Sequence, residues 1–278
     1  MKSIQPPRWS ELAATTGVTP HAGSWKMFYF ARIFGAFLLD KRGDFFNPKI
    51  KDPYRIDFNG QLEQVQDTVN KRSAEESKLA EKYKHSPMTV WNDVAVRLID
   101  GYQLAPATGA RVMSVLQAAI NDAFVVCWYF KYLYDIARPV HLDDSLHTVI
   151  QTPTHPTYPS GHATVAGCAQ TIINYFFPLE RERVNEIATD SANSRLYAGV
   201  HFPVDNEEGL RLGRQIAQRI VETIAIEKDA IGVDIHEPLL RDPEARSPLA
   251  PPANTVNVDA REMPNPSIFD QEGHEETE

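Results

Sequence analysis

The chain has 278 residues, which suits one large domain or one domain with appendages. Apolar residues make up 42% of it, enough for a sizeable core, and two cysteines are too few for a disulfide framework. The net charge of −9 says little about the core's ligand, because residues 229–278 carry 12 acidic and 3 basic side chains and the preceding residues balance to zero. No basic stripe with interleaved aromatics is present, so we expect no nucleic-acid partner.

Residues 1–87 are predicted to form an N-terminal helical extension. The aromatic-rich segment from Ser24 to Leu39 is interpreted as a helix, and the polar stretch from Gln61 to Lys84 as a solvated helical segment. The first residues lack the apolar region of a secretory signal, so we expect a cytoplasmic protein.

Residues 88–228 are predicted to form the helical core. An apolar-periodic segment runs from 110 to about 137 and ends at Arg138-Pro139, because proline cannot continue a helical hydrogen-bond ladder. Polar residues interrupt this segment, so no membrane span is predicted. Further helices are expected over about 160–177, 180–196 and 203–228. Because no strand-type alternation is visible, the predicted fold class is an all-α bundle.

Residues 229–278 differ in character from the rest of the chain. They contain seven prolines, one aromatic residue and a glutamate-rich end. Such a composition cannot bury enough apolar surface to offset chain entropy. We therefore predict an acidic tail that is largely disordered or draped over the surface.

The first chemical motif is Lys131 and Arg138, followed by Pro139. On a helix a spacing of seven residues is two turns, so both cations are predicted to project from one face. The residues before Lys131 are strongly apolar, and cations amid so many apolar residues need a partner such as a bound anion.

The second motif is Pro159-Ser160-Gly161-His162, which opens an apolar helix. Ser160 stands where an N-cap residue belongs, and a helix N-terminus favours anions through its free N–H groups and its dipole. Glycine lets the backbone approach a ligand closely. His162 would then stand in the first turn, within reach of the same anion.

The third motif is Ser194-Arg195, followed by His201 and Asp205. Asp205 lies four residues after His201 and can reach back to one ring nitrogen. That contact would fix the tautomer and leave the other nitrogen free as a nucleophile or ligand.

In this order the three motifs resemble the superfamily that joins type-2 phosphatidic acid phosphatases (PAP2), bacterial class A acid phosphatases and vanadium-dependent haloperoxidases. Its signature is Lys-x6-Arg-Pro, then Pro-Ser-Gly-His, then Ser-Arg-x5-His-x3-Asp, and this chain carries every position without a gap. The resemblance covers about residues 125–228. It implies a helical bundle of the acid phosphatase/vanadium haloperoxidase type.

The resemblance also implies roles for the motif residues. His201 would be the apical group, His162 the acid–base residue on the opposite side, and Asp205 the partner of His201. The phosphate or vanadate ion would be held by Lys131, Arg138, Ser160, Gly161 and Arg195. In a haloperoxidase Lys131 would also have a catalytic role and polarise the bound peroxide. Vanadate mimics the transition state of phosphate transfer, so one pocket can serve as a phosphatase without a cofactor or as a haloperoxidase with vanadate on His201.

Two residues favour the haloperoxidase interpretation. His155 lies seven residues before His162, where bromoperoxidases of this superfamily place a histidine, and Trp128 resembles a pocket tryptophan of these enzymes. Against this, Ser160 and Arg195 are only 35 residues apart, a compact spacing similar to that of bacterial acid phosphatases. His155 and Trp128 also have ordinary interpretations, as a loop histidine and a core tryptophan.

We therefore predict a haloperoxidase that oxidises halide, bromide above all, with hydrogen peroxide. A soluble phosphatase acting through a phosphohistidine on His201 is the alternative, and a non-catalytic oxyanion-binding protein is the second alternative. The partners would be small molecules, with a homodimer as a further expectation. The remaining histidines are interpreted as surface or loop residues, among them His21, His85, His141, His147 and His236.

Overall fold

The computed structural model describes residues 6–13, 15–242 and 244–250. Within these ranges the chain forms nine α-helices and one three-stranded antiparallel sheet. The helices are α1 (Trp9–Leu12), α2 (Phe58–Lys71), α3 (Ala74–Lys82), α4 (Pro87–Gly101), α5 (Pro106–Tyr134), α6 (Pro139–Leu142), α7 (Gly161–Phe176), α8 (Arg181–Tyr197) and α9 (Pro203–Ile224). The strands are β1 (Phe30–Phe34), β2 (Phe37–Asp40) and β3 (Phe45–Phe46). The predicted all-α class is confirmed, with the small sheet as an addition.

The helix predicted from Ser24 to Leu39 is wrong, because this segment contains β1 and β2. Gly35 adopts a positive φ of 53° between the two strands, a conformation that glycine accepts readily. A second turn follows β2, where the Asp40 carboxylate accepts the N–H groups of Arg42 and Asp44 at 2.9 and 3.0 Å. Aromatic residues suit a half-buried sheet, and two closely spaced turns leave no room for a helix.

One large apolar cluster joins α4, α5, α7, α8 and α9 and includes residues of β1 and β2. Helices α7 and α9 pack most closely of all. A Cβ atom on Gly213 would collide with the carbonyl oxygen of Thr164, and one on Gly167 would collide with that of Leu210. These glycines let the two helices approach closely, and the start of α7 thereby lies beside the start of α9.

A smaller apolar cluster lies next to these two helix starts and supports the loops that lead into them. Tyr158 and Phe202 are fully buried in it, and the ring of Phe202 packs edge-on against Phe58 of α2 at 5.3 Å. The residues just before α7 and α9 are therefore held by side-chain packing as well as by the helices that follow.

Helix α5 runs through the centre of the bundle. By length and composition alone it is the one helix in the described ranges that could cross a membrane. Here Val115, Leu116 and Ala119 on it are fully buried against other helices. Asp122 is also fully buried, and its carboxylate accepts the backbone N–H groups of Phe28 and Tyr29, both at 2.7 Å. This contact attaches the segment before β1 to the middle of α5.

The described part of the predicted tail, up to residue 250, contacts the bundle. Arg241 donates to Glu180 at 2.8 Å, and Leu249 is buried. His236, interpreted as a surface or loop residue, lies in a loop, but its side chain is buried beside Arg111. Residues 251–278, on which most of the tail prediction rests, lie outside the described residues. The three-part division of the chain stays a prediction.

Candidate oxyanion site

Lys131 and Arg138 approach each other through a loop and do not share one helix face, so that part of the prediction is wrong. Helix α5 ends at Tyr134, and Asp135 adopts a left-handed conformation with φ 55° while its N–H caps the Lys131 carbonyl. Arg138 is extended, immediately before Pro139. The chain therefore turns after Lys131 and brings Arg138 back toward the same interior space.

Lys131 is fully buried. Its ammonium group donates to the carbonyl oxygens of Pro156 and Thr157 at 2.9 and 2.8 Å, which leaves one of its three N–H donors available. Burial lowers the pKa of Lys131 to about 7, and the neighbouring Arg138 adds to this effect. A bound anion would reverse the shift, because an opposite charge favours the protonated amine.

Arg138 is also fully buried and joins three segments of the site. Its Nε donates to the His155 carbonyl at 3.0 Å, and one terminal nitrogen donates to the Val200 carbonyl at 2.7 Å. That nitrogen lies 3.4 Å from Nε2 of His201, while the other lies 3.2 Å from Nδ1 of His155. The guanidinium thus holds a fixed positive charge beside the exposed edge of the His201 ring.

Arg195 comes from the last turn of α8 and is 2% exposed. One terminal nitrogen donates to the Tyr83 carbonyl at 3.1 Å. Its buried Nε has no hydrogen-bond partner among the described residues. Burial lowers the pKa of Arg195, yet an arginine stays charged at neutral pH. An unpaired buried donor on a permanent cation is what an oxyanion site requires.

Ser160 is the N-cap of α7, and its Oγ accepts the N–H of Ala163 at 3.4 Å. Its own N–H donates to the Asp205 carbonyl at 2.9 Å, which ties α7 to α9. Gly161 follows at the first helical position, where a Cβ would lie 3.3 Å from the ring of Trp128. A side chain there would press on Trp128, so glycine keeps the helix start close to that ring.

His162 stands in the first turn of α7. Its Nε2 lies 2.9 Å from the His85 carbonyl, so Nε2 carries the proton and Nδ1 is the free nitrogen of the neutral ring. Burial first, and then the charge of Arg195, lower the pKa of His162 to about 3. The ring is therefore neutral when no anion is near.

His201 and Asp205 form a buried pair at the start of α9. Nδ1 of His201 lies 2.9 Å from an Asp205 oxygen, the contact that the four-residue spacing predicts. The same carboxylate accepts the Phe202 N–H at 2.9 Å and the Thr157 hydroxyl at 2.5 Å. Asp205 thus holds the proton of His201 on Nδ1 and leaves Nε2 free. Burial, followed by the three neighbouring cations, lowers the pKa of His201 well below its usual range.

Trp128 and His155 contact each other at this site. Their rings lie 4.9 Å apart between centroids, and the Lys131 ammonium lies 5.8 Å from the Trp128 ring. Nδ1 of His155 lies 3.2 Å from a terminal nitrogen of Arg138 and 3.1 Å from the Pro156 carbonyl oxygen, so the ring tautomer decides which of these two contacts is a hydrogen bond. Burial, followed by Lys131 and Arg138, lowers the pKa of His155 well below its usual range, which keeps this ring neutral.

These groups surround an open cavity of about 840 Å³, which we call the oxyanion cavity. It is lined by six of the predicted or adjacent site residues: Trp128, His155, Gly161, His162, Arg195 and His201. Lys131 and Arg138 lie behind this lining, bonded to the loop that carries His155. The three sequence motifs therefore converge. No group of three or more His, Cys, Asp or Glu side chains that could hold a metal cation occurs in the described ranges.

Two contributors were missed by the sequence interpretation. Thr157 bridges Asp205 and His201 with its hydroxyl, at 2.5 and 3.0 Å. His85, interpreted as a surface or loop residue, lines the cavity and offers its carbonyl to His162. Every residue has a backbone carbonyl, so the sequence does not show that the His85 carbonyl contacts His162. Threonine is common in loops, so Thr157 could not be distinguished by its residue type.

The lowered pKa of Lys131 predicts how anion affinity changes with pH. The amine titrates near pH 7 in the free site and at higher pH in the occupied site, so binding takes up a proton between these values. We expect sulfate affinity, measured by calorimetry, to fall by up to about tenfold per pH unit above about pH 7. Sulfate keeps its charge over this pH range, so the slope of log affinity against pH reports proton uptake by the protein alone.

Two variants check this assignment. Lys131→Gln should bind sulfate more weakly and lose the slope. Lys84→Gln should keep the slope, because Lys84 lines the cavity as an exposed side chain paired with Glu81 and leaves Lys131 unchanged. A slope that survives in Lys131→Gln would assign the proton to another group.

The fold and the geometry define a helical bundle around a candidate oxyanion site of one lysine, two arginines, a helix N-terminus and a His–Asp pair. Residues 111–225, less than half of the chain, match the family model of the PAP2 superfamily. The match contains all three motifs and leaves out α1 to α4 and the sheet.

Among characterised proteins, the chain is similar to vanadium-dependent bromoperoxidases of two algae. It is 35% identical over 98 residues to that of Corallina pilulifera, an alignment that covers 26% of this chain and 16% of the relative. It is 29% identical over 97 residues to that of Ascophyllum nodosum, covering 24% of this chain and 17% of the relative. The similarity thus spans a small part of these larger enzymes.

Two solved structures share the fold. A bacterial vanadium-dependent iodoperoxidase superposes with a TM-score of 0.62 at 24% identity, covering 78% of this chain and 60% of its own. A bacterial vanadium-dependent chloroperoxidase in its holo form superposes with a TM-score of 0.58 at 16% identity, and the alignment covers 78% of this chain and 61% of the chloroperoxidase chain. At these identities the likeness establishes the fold, and the predicted acid phosphatase/vanadium haloperoxidase bundle is confirmed.

Proposed function

We propose that the protein is a vanadate-dependent haloperoxidase that oxidises bromide with hydrogen peroxide. The observation that carries this proposal is the pairing of His155 with Trp128 in the wall of the oxyanion cavity, where Nδ1 of His155 also lies 3.2 Å from the Arg138 guanidinium. An ordinary loop histidine or core tryptophan has no need to line this cavity. The resemblance to bromoperoxidases at position 155 supports bromide as the favoured halide.

The residues present fit vanadate. Counting partners among the described residues, Arg195 offers an unpartnered buried Nε, Lys131 one unused N–H, and the start of α7 its first N–H groups. His201 offers Nε2, since its Nδ1 is occupied by Asp205. Vanadate would be held by these groups and by Arg138, and when bound it supplies the Lewis acidity that activates peroxide toward a halide.

The protein's own part is to hold charge and move protons. Lys131, Arg138 and Arg195 offset the negative charge of the oxyanion, and because all three cations are buried, each interaction is stronger than it would be in solvent. A bound anion raises the pKa of His162, so that Nδ1 can take up and release a proton during turnover. The proton is needed, because bromide, hydrogen peroxide and one proton give hypobromous acid and water.

A phosphatase acting on phosphomonoesters is the second candidate, supported by the compact spacing of Ser160 and Arg195. Here Nε2 of His201 attacks phosphorus, and the three cations stabilise the charge of the transition state. His162 donates a proton to the leaving alcohol and then activates the water that hydrolyses the phosphohistidine. A non-catalytic oxyanion-binding protein is less well supported, because His201, Asp205 and His162 complete an acid–base and nucleophile set.

One paired assay distinguishes these functions. The purified protein is tested for bromide oxidation by peroxide and for hydrolysis of p-nitrophenyl phosphate, each with and without vanadate. The haloperoxidase predicts bromide oxidation that appears only with vanadate. The phosphatase predicts hydrolysis that vanadate inhibits, and oxyanion binding without either turnover would leave the non-catalytic alternative. Cytoplasmic location and a homodimer stay predictions.

A further inference from the structure

A second cavity of about 350 Å³ lies beside the oxyanion cavity; we call it the apolar cavity. It is formed by α5, the start of α4 and residues 19–25. Three residues line both cavities, namely Ser86, Phe124 and Trp128. The two cavities are therefore neighbours separated by aromatic side chains, and its volume is within the range of small-molecule sites.

The lining of the apolar cavity favours an aromatic guest. Trp25, Phe124 and Trp128 provide aromatic surface, with Phe124 and Trp128 packed edge-on at 5.5 Å. No charged side chain lines it among the described residues, and its polar side chains are hydroxyls and the amides of Gln117 and Asn121. A neutral, mostly apolar molecule with a single polar group matches such a surface, whereas an ion would be desolvated there without a partner.

The apolar cavity is held open by contacts made with backbone. The Asp122 carboxylate binds the N–H groups of Phe28 and Tyr29, which fixes the segment that carries Trp25. Gly23 lies so close to the backbone of Tyr129 that a Cβ would collide with it. Trp25 remains 56% exposed on the outer side of the cavity, and Met88 37% exposed. These residues leave apolar surface uncovered next to a site that handles a reactive oxyanion.

We propose that the apolar cavity binds the ring of an electron-rich, uncharged aromatic substrate, such as a phenol or naphthol, and presents it to the edge of the oxyanion cavity. This inference rests on the proposed haloperoxidase function. Hypobromous acid formed from bromide and peroxide would transfer bromine to the ring. A C–Br bond forms, a C–H bond breaks, and the ring proton joins the hydroxide of hypobromous acid as water.

The first test is binding without turnover. 2-Naphthol is titrated into the protein by calorimetry in the absence of vanadate, bromide and peroxide. We expect a dissociation constant on the order of 1 mM or tighter, because a rigid bicyclic ring loses little freedom on entering a preformed site. Sulfate affinity is measured in parallel and reports an intact oxyanion site in every variant.

Four variants locate the bound ring. Trp25→Ala removes an aromatic wall and Met88→Glu adds a charge to the cavity, so each should weaken naphthol binding by about tenfold or more. Phe28→Ala and Val96→Glu are the matched controls, because these exposed residues line neither cavity. Both controls should bind naphthol within about twofold of the unchanged chain.

The outcomes separate this inference from the proposed function. Naphthol binding that is lost in Trp25→Ala and Met88→Glu supports the inference even if bromide is never oxidised. No binding up to about 10 mM naphthol, or equal binding in all four variants, overturns it even if bromide oxidation is strong.

Discussion

Replacing His201 with alanine should reduce turnover by at least about 1,000-fold in whichever reaction the protein catalyses. Nε2 of His201 is the free nitrogen beside Arg138, and Asp205 holds the ring in place through Nδ1. His162 also lines this cavity, but its Nε2 contacts the His85 carbonyl and it has no carboxylate partner like that of His201 among the described residues. The rate of the paired assay, at saturating substrate, measures the loss.

The control for this variant is His147→Ala. His147 is exposed in the loop before the site and lines neither cavity, so its removal should leave the rate unchanged. Because removal of a buried ring can also weaken folding, His201→Gln is measured beside His201→Ala together with the thermal midpoint of each. Turnover that persists in both folded variants would show that another group takes the apical role.

Replacing Asp205 with asparagine should lower turnover by about 100-fold while leaving sulfate affinity within about threefold. Asparagine has nearly the same shape, but its amide cannot stabilise a positive charge on His201 as a carboxylate does. One carboxylate oxygen now accepts from Thr157, Phe202 and His201, and an asparagine amide that turns its NH₂ group to this position presents a donor where an acceptor is needed. The ring would therefore spend time in a tautomer or orientation with Nε2 protonated.

Asp93→Asn is the matched control, because Asp93 is exposed on α4 and far along the chain from the three motifs. A pH–rate profile separates loss of His201 positioning from simple loss of stability. A change in the His201 tautomer shifts the pH–rate profile, whereas loss of stability alone lowers the rate and leaves the form of the profile unchanged. Unchanged turnover in Asp205→Asn would mean that this carboxylate anchors the start of α9 and does nothing further.

The convergence of the site could be predicted because its residue types and spacings carry the chemistry. Ser160 and Asp205 mark helix starts, where capping oxygens and free N–H groups belong, and the structure places them there. The helices around them follow from apolar periodicity. Their observed ends differ from the predicted ones by a few residues, as at α9, which ends at Ile224 instead of Lys228.

Other features depend on contacts that residue types do not encode. The turn after Lys131 depends on Asp135 adopting a left-handed conformation, which most residues avoid. The small sheet replaced a predicted helix because Gly35 permits a tight turn between two short aromatic runs. The apolar cavity exists because Asp122 binds a backbone segment 93 residues earlier in the chain. None of these could be read from a local pattern.

The carbonyl oxygens of Tyr83 and His85 hold Arg195 and His162, and both belong to the link between α3 and α4. That link precedes the part of the chain that matches the superfamily, which begins at residue 111. A fragment trimmed to the matched boundaries would therefore keep every motif residue and still lose the acceptors that orient two of them. Insertions or substitutions in the link between α3 and α4, which carries no recognisable motif, would therefore change the orientation of Arg195 and His162 without altering any motif residue.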